Sequence, residues 1–235
     1  MAKQNLFSFL NPFKTKPKKS FSLSELRPAP ARVIHVESAG SSGTDIFGGY
    51  LNEEYLQDLK GTDGADIYDK MRRSDAKIKM CLQAVSNPIK SAHWDVEPAG
   101  EDEQSKRIAE FVKYSLFEAQ GRSWKAFLHE ILTMIPFGYS VFERTHKVVL
   151  NDPKFGTHIT FKNFAFRSQR TIYRWNIEDG GALKSMTQMA FGDEQAGNVD
   201  IPAKFLTVFT LDKEGDNFEG MSMLRPCYGP WKRKQ

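Results

Sequence analysis

The pattern of hydrophobic and polar positions is clearest from Ser123 to Arg144, SWKAFLHEILTMIPFGYSVFER. Trp124, Phe127, Leu128, Ile131, Leu132 and Ile135 fall at offsets 0, 3, 4, 7, 8 and 11, which is one stripe of a helix with about 3.6 residues per turn. Ser123 supplies an N-cap oxygen for the first-turn amides. Pro136 lacks the N–H that would continue the ladder and Gly138 accepts positive φ, so the helix is predicted to end there. From Tyr139 to Arg144 the alternation is poor, but the aromatic and β-branched content predicts a strand after a tight Phe137-Gly138 corner. The predicted core is Trp124, Phe127, Leu128, Ile131 and Leu132 packed on Ile108, Phe111 and Val112.

Upstream of this stretch the pattern is helical. NEEYLQDLKG is expected to close at Gly61. The next segment places Ile78, Leu82 and Val85 on one face, capped by Ser74 or Asp75, with Lys77 and Lys79 opposite. Asn87-Pro88 biases the chain toward extended structure, so Ile89 to Glu97 is predicted as a strand. Pro98-Ala99-Gly100 reads as a turn. Glu101 to Glu103 suit the positive end of a third helix, in which Ile108, Phe111, Val112, Ser115 and Leu116 face inward and which Gly121 ends.

Downstream the period shortens to two. Ser140–Leu150 and His158–Phe161, on either side of NDPKFG, predict a hairpin. FRSQRTIYRW, ALKSMTQMAF and KFLTVFTL are three further strand candidates, separated by turn chemistry in DGG, DEQAGNVDIP and DKEGDNFEG. Helices followed by strands predict an α+β fold, with helices packed on a mainly antiparallel sheet. Residues 1–50 break the pattern. The prolines of NPFKTKPKK and RPAPAR block helix and sheet, and ESAGSSGTD is flexible in composition. The expected organisation is an extended N-terminal arm over 1–50 and an α+β body over 51–235.

Charge sharpens this division. The formal net charge is +4, yet residues 1–20 alone carry Lys3, Lys14, Lys16, Lys18 and Lys19 with no acid, and the C-terminal stretch carries Arg225, Lys232, Arg233 and Lys234. The remainder is therefore mildly acidic. Basic ends either contact phosphate or are simply solvated. With only Cys81 and Cys227, no disulfide framework is expected, which points to a reducing compartment. No apolar run approaches the roughly 18 residues of a membrane span, and the N-terminus, with its basic residues after a short apolar patch, reverses the order of a signal peptide.

Candidate chemistry is sparse. His129-Glu130 begins like the zinc motif H-E-x-x-H, but Thr133 stands where the second imidazole is needed. His35, His93, His129, His146 and His158 show no ligand spacing with the cysteines; His146 and His158 are placed to meet across the hairpin. Asp63, Asp66 and Asp69 are three apart, whereas a calcium loop wants oxygens at every second position. Gly43, Gly48 and Gly49 form neither a dinucleotide nor a phosphate loop, and G-x-S-x-G is absent. Asp95 and Glu97 would share a strand face and work as an acid–base pair only inside a cleft. No cofactor or metal is expected, and the chain is read as no enzyme.

The order of these segments resembles the portal proteins of tailed bacteriophages, closest to the Mu-like branch. MRRSDAKIKMCLQAVSNPIKSAHWDVEP is followed by a helix like Ser105–Leu116, then by the apolar helix running into GYSVFE, matched by Phe137 to Glu143. A strand bearing two arginines resembles Arg167–Trp175. IPAKFLTVF, a glycine and LRPCYGPWKRK then look like the stretch leading into the family's long helices. The resemblance spans residues 50–235. It implies a structural subunit of a dodecameric ring at one capsid vertex, the head–tail connector through which double-stranded DNA is packaged and ejected. Partners implied are further copies of the chain, DNA bound without regard to sequence, the terminase, and connector and capsid proteins, with no membrane. The implied location is the virion, with host cytoplasm during assembly. Family members usually run to about twice this length, so the chain is expected to be an N-terminal, wing-type portion ending where the stem helices would begin. The candidate DNA or subunit contacts are Lys14, Lys16, Lys18, Lys19, Lys232, Arg233 and Lys234. Two other readings stay open: a non-specific nucleic-acid-binding module using the basic termini, and an uncharacterised hydrolase.

Overall fold

The computed structural model describes residues 42–47, 50–178, 181–189 and 197–235. A short hairpin, β1 (Ile46–Phe47) and β2 (Tyr50–Leu51), leads to helices α1 (Gly61–Ser74), α2 (Ala76–Ser91), α3 (Glu103–Lys113) and α4 (Trp124–Ile131) and a single turn, α5 (Met134–Phe137). Strands β3 (Tyr139–Asp152), β4 (Gly156–Arg167), β5 (Ile172–Ile177), β6 (Leu183–Gln188), β7 (Val199–Pro202) and β8 (Leu206–Thr210) follow, and helix α6 (Tyr228–Lys232) lies near the end. The longer strands make two antiparallel three-stranded sheets, in the orders β4-β3-β8 and β5-β6-β7. The class is α+β, as the sequence pattern predicts. Of the residues assigned to an arm, 1–41 and 48–49 lie outside the described residues. Ser42 hydrogen-bonds Asp216, and the Asp216 amide donates to Thr44 Oγ1 at 2.9 Å.

The first four residues of β3 are buried on both faces of their sheet. Tyr139 and Val141 point to one core, shared with Ile172, Trp175, Met186, Ile201 and Leu206. Phe142 points to the other, shared with Phe127, Leu128 and Ile131 of α4 and Phe164 of β4. A strand covered on both sides carries no polar alternation, which is why the sequence alternates poorly here. Ser140 lies on the α4 side, fully buried, and its hydroxyl donates to the Ile131 carbonyl at 3.0 Å. That bond satisfies one of the acceptors orphaned where α4 ends. Gly138, with φ of 92°, turns the chain from α5 into β3 while its amide donates to the Met134 carbonyl at 2.7 Å. A Cβ at this glycine would stand 2.3 Å from the Glu219 carbonyl oxygen, so a larger residue fails there on both φ and contact.

A third core joins α1 and α6: Leu59, Tyr68, Met71, Phe137, Leu224, Tyr228 and Trp231. The C-terminal LRPCYGPWKRK is therefore a packed element.

Several local expectations are corrected. Gly61 opens α1 instead of closing a helix, the residues before it forming only a 3-10 turn at Gln57–Leu59. Pro88 lies inside α2, which runs on to Ser91. A proline near a helix end costs only one backbone hydrogen bond, and the last turn is held by the Ala92 amide and Ser91 hydroxyl donating back to Pro88 and Asn87 carbonyls. No strand follows: residues 92–98 are irregular, with Trp94 edge-on to Trp124 at 6.2 Å and Asp95 paired to Lys113 at 2.6 Å. Pro136 likewise sits within α5, and the helix break falls earlier, after Ile131. Strand β7, within residues read as turn chemistry, was not foreseen.

The largest correction concerns α3. Ile108 is 55% exposed and Val112 36%, while Ala109 faces inward in their place; Ser115 is buried, as the sequence predicts. The helix passes through a π turn at Tyr114–Glu118, and an extra residue per turn shifts which side faces the body. The core position intended for the α3 stripe is filled instead by phenylalanines of the sheet, Phe161, Phe164, Phe166 and Phe209. Leu128→Ala is expected to lower the unfolding free energy by about 2–5 kcal/mol, and Ile108→Ala by less than about 0.5 kcal/mol. Urea denaturation of both variants checks this, and equal losses would put α3 in the core.

Candidate functional site

The basic residues singled out in the sequence divide into two sets. Lys14, Lys16, Lys18 and Lys19 lie outside the described residues. Lys232, Arg233 and Lys234 are exposed at the end of α6, but two of the three are engaged within the chain. Lys232 Nζ meets Asp58 Oδ2 at 2.6 Å and Lys234 Nζ meets Asp75 Oδ2 at 3.0 Å. The Lys232 hydrogen bond, seconded by the Tyr228 hydroxyl, holds the Asp58 carboxyl below its usual range. Lys234 does the same for Asp75, helped by the Ile78 amide that Asp75 caps at the start of α2. The Lys232–Asp58 pair, exposed on both sides, contributes little stability and yields to salt or to a competing anion, while Asp75 is largely covered beneath Lys234. The role of both pairs here is orientation, since they set α6 against the α1–α2 corner while Tyr228 and Trp231 supply the burial.

The groups weighed for metal or catalytic chemistry are dispersed. His129 is exposed, and Glu130 is paired to Arg122 at 2.5 Å. His146 and His158 do not meet, because the register pairs His146 with Phe161 and His158 with Val149. His158 instead packs edge-on against Phe111 at 5.2 Å. Asp66 pairs with Arg170, and Asp69 with Arg72 and Arg73. Among the described residues no three His, Cys, Asp or Glu side chains cluster as metal ligands, and no helix is long and apolar enough to cross a membrane.

Two features remain that the sequence did not announce. One is the outer half of the β3–β4 hairpin, where Val148, Leu150 and Ile159 are 63%, 70% and 64% exposed. Val148 and Ile159 are cross-strand partners, and Leu150 follows Val148 by one strand period, so the three share one face. The opposite face rests on the π turn, with Thr160 donating to Ser115 Oγ at 3.0 Å and Lys147 Nζ to the Ala119 carbonyl at 2.8 Å.

The other is a cleft of about 530 Å³ lined by α1, the Gly138 corner, the segment from Leu51 to Lys60 and the loop from Glu214 to Pro226. Gly220, with φ of 57°, folds that loop onto the corner, where the Leu211 amide donates to the Gly138 carbonyl at 2.7 Å. Glu219 is thereby set into the interior, accepting a hydrogen bond from the Trp175 indole N–H at 3.0 Å. Burial pushes its carboxyl above the usual carboxylate range, opposed only by that indole. Burial also pushes the Tyr68 phenol up to about 12 and, with Glu219 nearby, the Tyr139 phenol well above its ordinary value. In the sequence Glu219 sits in DKEGDNFEG, and nothing there separates it from Glu214, which is exposed.

The class these observations define is an α+β protein whose long hairpin leaves an apolar face open to solvent, a mark of a surface that meets other macromolecules. The family model described as the portal protein of Mu bacteriophage matches residues 65–235. That is well over half of the chain, and the chain belongs to this family of phage portal proteins.

The Glu219 environment has a consequence for stability. A carboxyl that binds its proton more tightly folded than unfolded contributes fully below the unfolded value and loses that contribution as pH rises through the raised folded value. The carboxyls held low by Lys232 and Lys234 act in the opposite, acidic range. Stability is therefore expected to fall as pH rises above the ordinary carboxylate range. Glu219→Gln, which keeps an acceptor for Trp175, flattens the slope. Urea midpoints across that range check it, and an unchanged slope in the variant would assign the effect elsewhere.

Proposed function

We propose that the chain is a structural subunit of a portal ring at a capsid vertex, through whose channel double-stranded DNA passes during packaging and ejection. The observation that carries this reading is the family match over residues 65–235. The open apolar face at Val148, Leu150 and Ile159 supports it, because identical subunits in a closed ring each offer a surface to the next. In this reading the chain works without catalysis or cofactor, and its partners are further copies of itself, the terminase, and connector and capsid proteins of the virion.

DNA contact in such a channel is electrostatic and blind to base sequence, since packaging must pass every sequence. The candidate contacts are the cations at the two ends, Lys14, Lys16, Lys18, Lys19, Lys232, Arg233 and Lys234. Lys232 and Lys234 would exchange Asp58 and Asp75 for phosphate; the Lys232 pair is exposed on both sides, whereas leaving Asp75, which is largely covered, costs Lys234 more. Arg233 needs no such exchange.

Electron microscopy of the purified protein is expected to show rings. DNA affinity is expected to be equal for unrelated sequences and to fall by orders of magnitude between about 50 and 200 mM salt if roughly six or more cations engage phosphate. Sequence discrimination at fixed salt would favour a dedicated nucleic-acid-binding module instead. Hydrolysis of a substrate that disappears in Glu130→Gln would favour the hydrolase reading.

A further inference from the structure

The cleft at Glu219 combines three properties that a packing defect does not. Its walls carry aromatic rings, Tyr68, Phe137 and Tyr139. Glu219 lines it with one carboxylate oxygen taken by Trp175 at 3.0 Å, while the other makes no hydrogen bond among the described residues. The cations in the lining are both engaged elsewhere. Arg225 forks onto Glu54 at 2.5 and 2.9 Å with its guanidinium over Tyr55, and Lys60 Nζ donates to Asn52 Oδ1 at 2.8 Å. Glu53 and Glu214 add further negative charge at the exposed margin. The result is a cleft with acidic margins, aromatic residues in its lining and a carboxyl that has no cation of its own among the described residues.

We propose that this cleft receives a lysine or arginine side chain presented by an extended polypeptide partner. The acidic margin draws a cation in. The aromatic walls cover the alkyl stem, as long basic side chains use apolar surface along their methylenes while the head seeks charge. The incoming cation favours the ionised form of Glu219, whose carboxylate then meets the ammonium or guanidinium with a charge-assisted hydrogen bond. A small free cation would leave the ring-lined part of the cleft unfilled, and an anion would face Glu219, Glu53 and Glu214. The occupant therefore carries its charge on a long apolar stem, as a lysine or arginine side chain does, and the main chain bearing it lies at the acidic mouth beside Glu53 and Glu214.

This inference rests on the geometry of the cleft and not on ring formation, so rings can form or fail without deciding it. The test uses the full chain with nitrogen-15 at tryptophan, following the assigned indole N–H resonance of Trp175, which touches Glu219. The probe is a blocked pentapeptide with one lysine between glycines, compared with the same peptide carrying norleucine and with n-butylammonium. A saturable shift is expected with the lysine peptide and none with norleucine. In Glu219→Gln affinity is expected to fall by at least about tenfold, as one charge-assisted bond is lost. Equal affinity for lysine and norleucine overturns the proposal, as does unchanged affinity in Glu219→Gln. Butylammonium binding as tightly as the peptide overturns the polypeptide partner. If Glu219→Gln does not fold, the lysine–norleucine comparison on the unsubstituted protein decides the matter.

Discussion

The double burial of β3 at its start is the constraint on which the rest of the molecule depends. Four consecutive residues, Tyr139 to Phe142, serve two cores at once because strand side chains alternate across the sheet. Tyr139 and Val141 hold the β5-β6-β7 sheet, while Ser140 and Phe142 hold α4. Neither core can shift register without exchanging its residues with the other, since a slip by one residue would carry Phe142 to the wrong side. The entry angle is fixed by Gly138, whose left-handed backbone leaves room for nothing larger against the Glu219 carbonyl. The hydrogen bond from Ser140 to Ile131 then ties the end of α4 to the strand it covers. Helix, corner and strand form one mechanical unit.

Much of that unit was legible in the sequence, because its determinants are local. The stripe from Trp124 to Ile131, the Ser123 cap and the Gly138 stop each act within a few residues, and the structure uses them, although the helix breaks after Ile131 and resumes for a single turn before Gly138. The α+β class followed from the change of hydrophobic period. What misled were signals whose outcome depends on partners distant in the chain. Pro88 reads as a breaker, yet the last turn of a helix loses little to it. Ile89 to Glu97 has strand composition, but α2 takes its first three residues, and Trp94 and Asp95 are held by Trp124 and Lys113. The stripe on α3 is as regular as that on α4, but the sheet phenylalanines had already filled the space it would occupy. Periodicity reports that a face is apolar and does not say what covers it.

The surface was less legible still. Lys232 and Lys234 appear in sequence as part of a free basic tail, but Trp231 and Tyr228 bury themselves against α1 and bring those ammonium groups to Asp58 and Asp75. The acids that meet them are more than a hundred positions away, so no local reading pairs them. Glu219 is the reverse case. It lies in a polar, glycine-containing loop that reads as solvent-exposed, and only the approach of Gly220 to the Gly138 corner carries its carboxyl inward.

A subunit that assembles must keep apolar surface open without collapsing on it, and the hairpin shows how this is done. Its inner face is anchored on the π turn by Thr160 and Lys147, so Val148, Leu150 and Ile159 are held outward on a strand pair whose other side is already committed. The π turn thus has a second consequence beyond turning Ile108 outward. It supplies Ser115 at the position where Thr160 needs an acceptor, and so fixes the face on which Val148 and Ile159 stand exposed.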